Sequence, residues 1–376
     1  AFHNSCLHRG TKLRVEDGRV ASFRCPFHGW RWDLNGELAE IPAQWDFPQV
    51  LHESDTDLPQ ALVAVWCGFV FVNLDPEAMP FEKVADKLIE HFSRDFDMEN
   101  RYKAFHAVKE VPANWKVCME AFAEGYHVIA THPQILEFAG DTNSEYSIWA
   151  DSPFVTRFIN GFGIQSPHLG DLSEQQVADA YLAFSARSAR GSVEVPDGSS
   201  AREVVAEIFR SVMGPIYGKD LSNVSDSEML DAHLYHLFPA FAPWAGVGQS
   251  LTYRWRPGPT PDTCYMDVLR MMPVPDGQER PAPAPIQRLK LEQSWKEAEG
   301  MSGLADVFEQ DMANLPKVQL GLKITAKNAK KGVSFGLYQE ARMRLIHRHI
   351  DQCIIDGLNA DHRDVSALTP FIMPSG

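Results

Sequence analysis

The chain contains 376 residues and carries a formal net charge of −15 at pH 7. This acidic balance argues against nucleic acid or an anionic membrane as a binding partner. Hydrophobic residues make up 44% and charged residues 23% of the chain, as in globular proteins long enough for two domains, and neither an apolar run of bilayer length nor a signal-peptide pattern occurs.

The first element is a pair of short motifs, Cys6-Leu7-His8-Arg9-Gly10 and Cys25-Pro26-Phe27-His28-Gly29-Trp30. Each half offers one thiolate and one imidazole, and sixteen residues separate His8 from Cys25. Two Cys on one iron and two His on the other are the ligands of a Rieske [2Fe-2S] cluster. Structural zinc is the competing interpretation, but zinc fingers space their first pair differently. The pattern predicts a Rieske cluster held by Cys6, His8, Cys25 and His28, in a cytoplasm that keeps the thiols reduced.

Basic residues are concentrated around these motifs. Residues 1–31 contain Glu16 and Asp17 against six cations, which are Arg9, Lys12, Arg14, Arg19, Arg24 and Arg31. Charge counting alone would make this a solvated surface. Because the bias lies on the cluster loops of an otherwise acidic protein, we hypothesise that it steers an acidic redox partner.

The elements up to residue 130 alternate between strands and helices. Short strands and turns fill residues 1–76, including a strand pair over 62–72 broken at Gly68. We place a domain boundary after Pro76 and expect further strands of a cluster domain to precede Ala1. An amphipathic helical pattern follows over 81–97, then a strand over 105–111 and a helix from 112–116 to about Ala130.

The later elements are predicted by the same patterns. Residues 170–230 are polar with helical stretches and are expected to flank the site as an insertion. Strands resume over 233–272, and a Pro-rich loop covers 273–285. Helices are predicted over 285–299, 304–315 and 334–356. Two His in this part, His347 and His349, are expected to be surface or packing residues. A further group is expected to belong to the core, with lining of an apolar substrate pocket as the alternative for some of them, namely Met271, Met272, Phe238, Phe241 and Trp244.

A second group of ligand-type residues lies on the helix predicted before Ala130. Glu120, Glu124 and His127 are four and three residues apart and would share one helix face. His132 lies five residues beyond His127 and can meet the same metal only if the helix loosens or ends, which Pro133 favours. Next to a Rieske motif, two His predict a non-haem Fe(II) site that also needs a carboxylate.

The residues around the cluster ligands, His3-Asn4-Ser5-Cys6-Leu7-His8-Arg9-Gly10 and residues 25–30, resemble those of the Rieske non-haem iron oxygenases, the large (alpha) subunits of aromatic-ring-hydroxylating dioxygenases. The resemblance implies that His127 and His132 are joined by a carboxylate far downstream. The matching segment is 308–322. Within it Asp311 is our choice, and Glu309 and, just upstream, Asp306 are the alternatives.

The resemblance also gives Glu124 a role. The family has an acidic residue at this position, which bridges an iron His and a cluster His of the neighbouring subunit, and which orients the ring it contacts. The common residue there is Asp. Glu occurs in some members that act on quaternary amines. Ala121 is a second departure, since ring dioxygenases often have Asn there.

The implied fold is α+β, with a β-rich Rieske [2Fe-2S] domain over 1–76 and a helix-covered antiparallel-sheet catalytic domain over 77–376. The implied assembly is a homotrimer, with or without small β subunits. The implied function is that of a terminal oxygenase, which uses O2 at a mononuclear Fe(II) to hydroxylate a small apolar, aromatic substrate. The alternatives are oxidative demethylation of a quaternary amine or methyl ether, and a Rieske electron carrier. No G-x-G-x-x-G follows a strand, so electrons would come from a ferredoxin or an NAD(P)H-dependent reductase.

Overall fold

The structure, a computed structural model, describes residues 1–48, 50, 56–185, 193–247, 250–301, 303–328 and 332–360. They divide into two compact units, one over Ala1–Lys83 and one from Val84 onward. The sequence placed the domain boundary after Pro76, whereas this division falls within a short helix, α1 (Phe81–Val84). Residues 361–376 of the predicted catalytic domain lie outside the described residues.

The first unit is built from short antiparallel strands. Strands β1 (Phe23–Arg24), β2 (Arg31–Trp32) and β3 (Leu38–Glu40) form one sheet, and β4 (Leu62–Trp66) and β5 (Phe69–Asn73) form a hairpin. The predicted break at Gly68 is the hairpin turn, where Gly68 has φ +80. Buried aromatic rings, with Trp32 fully buried, pack beneath the two cluster motifs.

The second unit contains a large sheet. Its strands are β6 (Arg101–Val111), β7 (Ala139–Trp149), β8 (Ser152–Phe162), β9 (Ala232–Leu237), β10 (Phe241–Ala245), β11 (Leu251–Pro257), β12 (Cys264–Pro273) and β13 (Gln287–Leu289). Within the described residues the order is β13-β6-β12-β11-β10-β9-β8-β7. Every neighbouring pair is antiparallel except β13 and β6. Side chains alternate across the sheet, so that Met266 and Val268 enter the core while Asp267 points to the other face.

Helices surround this sheet. They are α2 (Asp86–His91), α3 (Trp115–Glu120), α4 (Val128–Thr131), α5 (Glu174–Phe184), α6 (Ala201–Tyr217), α7 (Asp226–Leu230), α8 (Leu304–Asn328) and α9 (Ala341–Ala360). Helices α3 and α8 contact each other, and α3 packs on β11 and β12. The predicted insertion contains α5, α6 and α7, each begun by a Ser capping box. These three helices share a second apolar core around Phe209 and Met229.

The single helix predicted from 112–116 to Ala130 is wrong, because the chain forms α3 and α4 with a non-helical segment over 121–127 between them. The Glu124 carboxylate accepts the backbone N–H of His127 at 2.9 Å. Because a side chain takes up this N–H, it is not available to a helix that runs on from α3. The predicted common face of Glu120, Glu124 and His127 is therefore also wrong, since Glu120 turns away to His347.

The helix predicted over 285–299 is wrong as well. Strand β13 and a short 3-10 turn, Trp295–Glu297, occupy this region. The buried Lys109 ammonium donates to the carbonyls of Lys290, Leu291 and Gln293, so these carbonyls are not available to a helix. The other two predicted helices exist with different bounds, as α8 and α9.

A buried ion-pair cluster lies on the face of the sheet opposite α3. Asp267 is fully buried, with His106 Nε2 at 2.9 Å, Arg254 Nη2 at 2.8 Å and Arg256 Nη2 at 2.9 Å. Burial alone would raise the pKa of Asp267, but these hydrogen bonds and charges lower it to about 2. The cluster therefore ties three strands together with a carboxylate that stays ionised.

The predicted α+β class, with a β-rich first part and a helix-covered sheet in the second, is confirmed. Among the described residues, none of the helices has the length and apolarity needed to cross a membrane.

Candidate metal centres

Both cluster motifs fold into the same kind of turn. The N–H of Gly10 donates to the Cys6 carbonyl at 2.8 Å, and that of Gly29 donates to the Cys25 carbonyl at 3.1 Å. Each Gly has a positive φ, +75 and +79, which glycine adopts without steric cost. Each turn therefore presents a Cys and a His from one tight loop, which explains why a Gly follows both His in the sequence.

The four predicted cluster ligands converge. Cys6 and Cys25 are 3% and 2% exposed, and the His8 and His28 ring centroids lie 4.6 Å apart. Burial alone would raise the pKa of the Cys25 thiol, but the backbone N–H groups of His28 and Phe27 lower it. His8 Nδ1 is buried and has no hydrogen-bond partner among the described residues. An orphaned imidazole nitrogen beside two buried thiols fits the donor set of a Rieske cluster.

The three predicted iron ligands also come together. One nitrogen each of His127 and His132 and one carboxylate oxygen of Asp311 all lie within 4.8 Å of one another. Asp311 Oδ1 is 3.2 Å from His132 Nε2 and 3.8 Å from His127 Nε2. Two imidazoles and one carboxylate at this spacing fit a facial triad for non-haem iron.

The two alternative carboxylates lie elsewhere. Glu309 accepts from the Ser294 hydroxyl at 2.7 Å and from the Trp295 N–H at 2.6 Å. Asp306 forms an exposed ion pair with Lys296. Of the three candidates, Asp311 is the one that faces both His.

The chain between the two His is a single short helix. His127 precedes α4, and His132 follows it with φ −124 and ψ 56, outside the helical region. The helix therefore ends between the two ligands, as their spacing requires, and Pro133 follows directly. Because α4 ends before His132, the Nε2 atoms of both His can face Asp311.

Each ring is held through its other nitrogen. His127 Nδ1 lies 2.8 Å from Glu124 Oε1, and His132 Nδ1 lies 2.8 Å from Gln310 Oε1. An acceptor at Nδ1 fixes the tautomer that leaves the Nε2 lone pair for a metal. Burial alone would lower the pKa of His127, but the carboxylates of Glu124 and Asp311 raise it.

Sequence reasoning missed Gln310 and its partner. Gln310 Oε1 also accepts from Gln134 Nε2 at 2.8 Å, and Gln310 Nε2 donates to Gln134 Oε1 at 3.1 Å. The available signal was a Gln directly before Asp311, the predicted third ligand. His347, expected to be a packing or surface residue, lies with Nε2 2.6 Å from Glu120 Oε1.

Comparison with known proteins gives matches over most of the chain. The family described as Rieske [2Fe-2S] domain matches residues 1–51, and the family described as ring hydroxylating alpha subunit (catalytic domain) matches residues 95–355. The chain is 34% identical over 142 residues to the glycine betaine monooxygenase oxygenase subunit of Pseudomonas aeruginosa, covering 36% of this chain and 32% of that protein. It is 32% identical over 135 residues to the carnitine monooxygenase oxygenase subunit of Acinetobacter pittii, covering 35% and 36%.

A third relative is the anthranilate 1,2-dioxygenase large subunit of Acinetobacter baylyi, which is 32% identical over 140 residues, covering 35% of this chain and 29% of that protein. The matches thus span about a third of the length of these curated relatives.

Solved structures share the fold. The quaternary ammonium Rieske monooxygenase CntA with gamma-butyrobetaine has a TM-score of 0.54 at 17% identity, covering 92% of this chain and 76% of that chain. A naphthalene 1,2-dioxygenase mutant bound to phenanthrene has a TM-score of 0.54 at 17% identity, covering 92% and 77%. With the two family matches, these findings confirm the predicted family: the chain belongs to the ring-hydroxylating alpha subunits of the Rieske non-haem iron oxygenases, whose cofactors are a Rieske [2Fe-2S] cluster and a mononuclear iron.

Proposed function

We propose that the chain is the terminal oxygenase component of a Rieske system, with iron held by His127, His132 and Asp311. The observation that carries this proposal is the convergence of two imidazole Nε2 atoms and one carboxylate on a point, in a chain that also brings two Cys and two His together. Iron held by these residues would supply O2 activation, since such a triad leaves coordination positions open.

The surrounding side chains orient the residues that would bind iron. Glu124 and Gln310 hold the two rings by their Nδ1 atoms. Asp311 is 4% exposed and His132 is 3% exposed, so water has little access to two of the three ligands. Electrons would enter through a cluster held by Cys6, His8, Cys25 and His28, supplied by a ferredoxin or an NAD(P)H-dependent reductase.

Glu124 is proposed to carry the electron between centres. It is 7% exposed and holds His127 through both its ring and its backbone N–H. A carboxylate has about four lone-pair sites, so Glu124 retains capacity for a further imidazole N–H. We propose that this donor is a cluster His of a neighbouring subunit, which requires the homotrimer that the family resemblance implies.

For the substrate, we propose a quaternary amine rather than the apolar aromatic compound put first from the sequence. The support comes from the relatives named for glycine betaine and carnitine, and from Glu rather than Asp at position 124. O2, two electrons and two protons would convert a C–H beside the nitrogen into C–OH with release of water. The resulting N–C–OH group would then split into an amine and an aldehyde. Ring hydroxylation is the second candidate, favoured by the anthranilate dioxygenase relative.

Metal analysis tests the site. The unmodified protein is expected to contain about three irons and two acid-labile sulfides per chain. His127→Ala and Asp311→Ala should each lose one iron while keeping the cluster's colour. His349→Ala is the matched control, because His349 packs against Phe154 and Phe238 away from the triad, and it should keep all three irons. Full iron content in both site variants would refute the assignment.

Turnover tests the substrate class. With a reductase present, glycine betaine or carnitine is expected to support O2 consumption and release of an amine and an aldehyde, whereas anthranilate is expected to support neither. The aldehyde is formaldehyde if an N-methyl carbon is hydroxylated, and the chain aldehyde with trimethylamine if the N–CH2 carbon is hydroxylated. A hydroxylated ring product from anthranilate, without an aldehyde from either amine, would favour the aromatic alternative. Two irons per chain that Fe(II) cannot raise to three would indicate an electron carrier.

A further inference from the structure

A buried arginine, Arg342, contacts the non-helical segment 121–127 and has no carboxylate partner among the described residues. Arg342 on α9 is 1% exposed. Its guanidinium hydrogen-bonds neutral groups only, namely Thr156 Oγ1 at 2.9 Å and the Ala123 carbonyl at 3.1 Å, and among the described residues no carboxylate pairs with it. Burial lowers the pKa of Arg342 to about 9. An unpaired buried cation is costly to a fold, so its position calls for an explanation.

The carbonyl that Arg342 holds belongs to the residue before Glu124. The residue after Glu124 is held as well, because the Gly125 N–H donates to the Tyr146 hydroxyl oxygen at 3.1 Å. This backbone belongs to the non-helical segment 121–127, in which neither the Ala123 carbonyl nor the Gly125 N–H has a backbone partner among the described residues. Side chains from two distant elements therefore hold the Glu124 backbone on both sides.

Arg342 and Tyr146, which hold this backbone, both pack against Phe158. The Tyr146 ring stacks on Phe158 at 5.3 Å, and the Arg342 guanidinium lies 6.0 Å from the same ring. The Tyr146 hydroxyl donates to Gln339 Oε1 at 2.9 Å, and Gln339 Nε2 donates to the Thr142 carbonyl at 2.8 Å.

The loop has little freedom to move against this group. A Cβ on Gly125 would lie 2.7 Å from the Asp141 carbonyl oxygen, which shows how closely the loop backbone approaches β7. Within this loop the Glu124 carboxylate turns back onto His127, with its two oxygens against the backbone N–H and the ring Nδ1.

We propose that Arg342 and Tyr146 are positioning residues that fix the Glu124 loop, and so set Glu124 and the His127 ring for electron delivery to the iron. This inference rests on the proposed function of the site. It predicts that weakening either contact slows electron transfer to the iron and weakens Fe(II) binding, while the cluster stays intact.

The test compares Tyr146→Phe and Arg342→Met with Ile346→Ala. Tyr146→Phe keeps the ring and removes the hydroxyl that accepts from the Gly125 N–H and donates to Gln339. Ile346 is buried on the same helix as Arg342, so its truncation measures the effect of loosening α9 without removing a hydrogen bond to the 121–127 segment. Arg342→Lys keeps the charge and can reach one carbonyl, and it is expected to restore part of the loss.

Two readouts are taken on purified, cluster-loaded protein. Anaerobic Fe(II) titration gives the dissociation constant of the mononuclear site, and stopped-flow absorbance after mixing dithionite-reduced protein with O2 and glycine betaine gives the rate of cluster reoxidation. One lost hydrogen bond should slow reoxidation about fivefold in Tyr146→Phe, and loss of the guanidinium about tenfold or more. Fe(II) binding should weaken in the same order.

If Tyr146→Phe and Arg342→Met match Ile346→Ala in both readouts at equal thermal stability, the inference is overturned. Should Arg342→Met fail to fold, Tyr146→Phe decides alone. His127→Ala separates this inference from the proposed function. Unchanged Fe(II) binding and reoxidation in His127→Ala would refute the iron site itself, whereas large losses there with a silent Tyr146→Phe would refute only the positioning role.

Discussion

Replacing Gln310 with Glu should tighten iron binding. The His132 Nδ1–H group is 2.8 Å from the neutral amide oxygen of Gln310. A carboxylate of the same shape accepts this bond with a full charge, which makes it stronger by about 1 kcal/mol, or about fivefold in the Fe(II) dissociation constant. The bond that Gln134 Nε2 donates to residue 310 survives the change, and the exposed Gln134 Oε1 can turn to water.

Gln310→Ala removes the acceptor and frees the ring, so binding should weaken by about 10- to 100-fold. Anaerobic Fe(II) titration of protein stripped of its mononuclear iron measures both effects. Asn314→Asp is the matched control, because it adds a negative charge about one turn further along α8 without touching His132. If Gln310→Glu shifts the constant no more than Asn314→Asp, or if Gln310→Ala leaves it within twofold, the reasoning about ring orientation fails.

Three further outcomes follow from contacts described above. Asp267→Asn should lower the free energy of unfolding at pH 7 by about 2 kcal/mol. Because folding depresses the pKa of Asp267, the free energies of unfolding of the two proteins should converge as the pH falls from about 4 toward 2. Chemical denaturation across that pH range measures this convergence. Gly125→Ala places a methyl group against the Asp141 carbonyl and should reduce iron per chain with cluster sulfide unchanged, whereas full iron content would show that the loop can yield. Arg14→Gln should slow the reduction of the cluster by an acidic [2Fe-2S] ferredoxin at low salt and make the rate less dependent on salt. Arg24→Gln is the control and should change the rate less, because the Arg24 charge is already paired with Glu40. A rate of cluster reduction that does not depend on salt in the unmodified protein would refute the hypothesis that these cations steer a redox partner.

Sequence alone was informative where chemistry requires particular residue types at short spacing. The two Cys–His motifs and the His127–His132 pair needed only local chain geometry, and Asp311 needed the family's order of ligands. Strands over 233–272 were visible as apolar runs. These features do not depend on partners far away in the sequence.

The failures have a common physical cause, which is tertiary contact. The helix predicted over 285–299 does not form, because the buried Lys109 ammonium donates hydrogen bonds to backbone carbonyls of that segment, which a helix would need. The helix predicted to run to Ala130 is interrupted because Gly125 packs against β7, Arg342 takes the Ala123 carbonyl and Glu124 takes the His127 N–H. Arg342 is followed on α9 by two further arginines, Arg344 and Arg348, and nothing in its own neighbourhood in sequence distinguishes it or points to Ala123.

The residues proposed to bind iron come from distant parts of the sequence, since His132 and Gln310, which contacts its ring, are 178 positions apart. A metal that binds only when α8 is docked beside α4 is thermodynamically linked to that docking, and free metal at a thousandfold excess over its dissociation constant would contribute about 4 kcal/mol to it. Iron at this place would thus act as a cross-link between sequence-distant halves of the domain. Loss of the metal would remove this contribution, and the docking of α8 would then rest on the apolar core that it shares with the sheet.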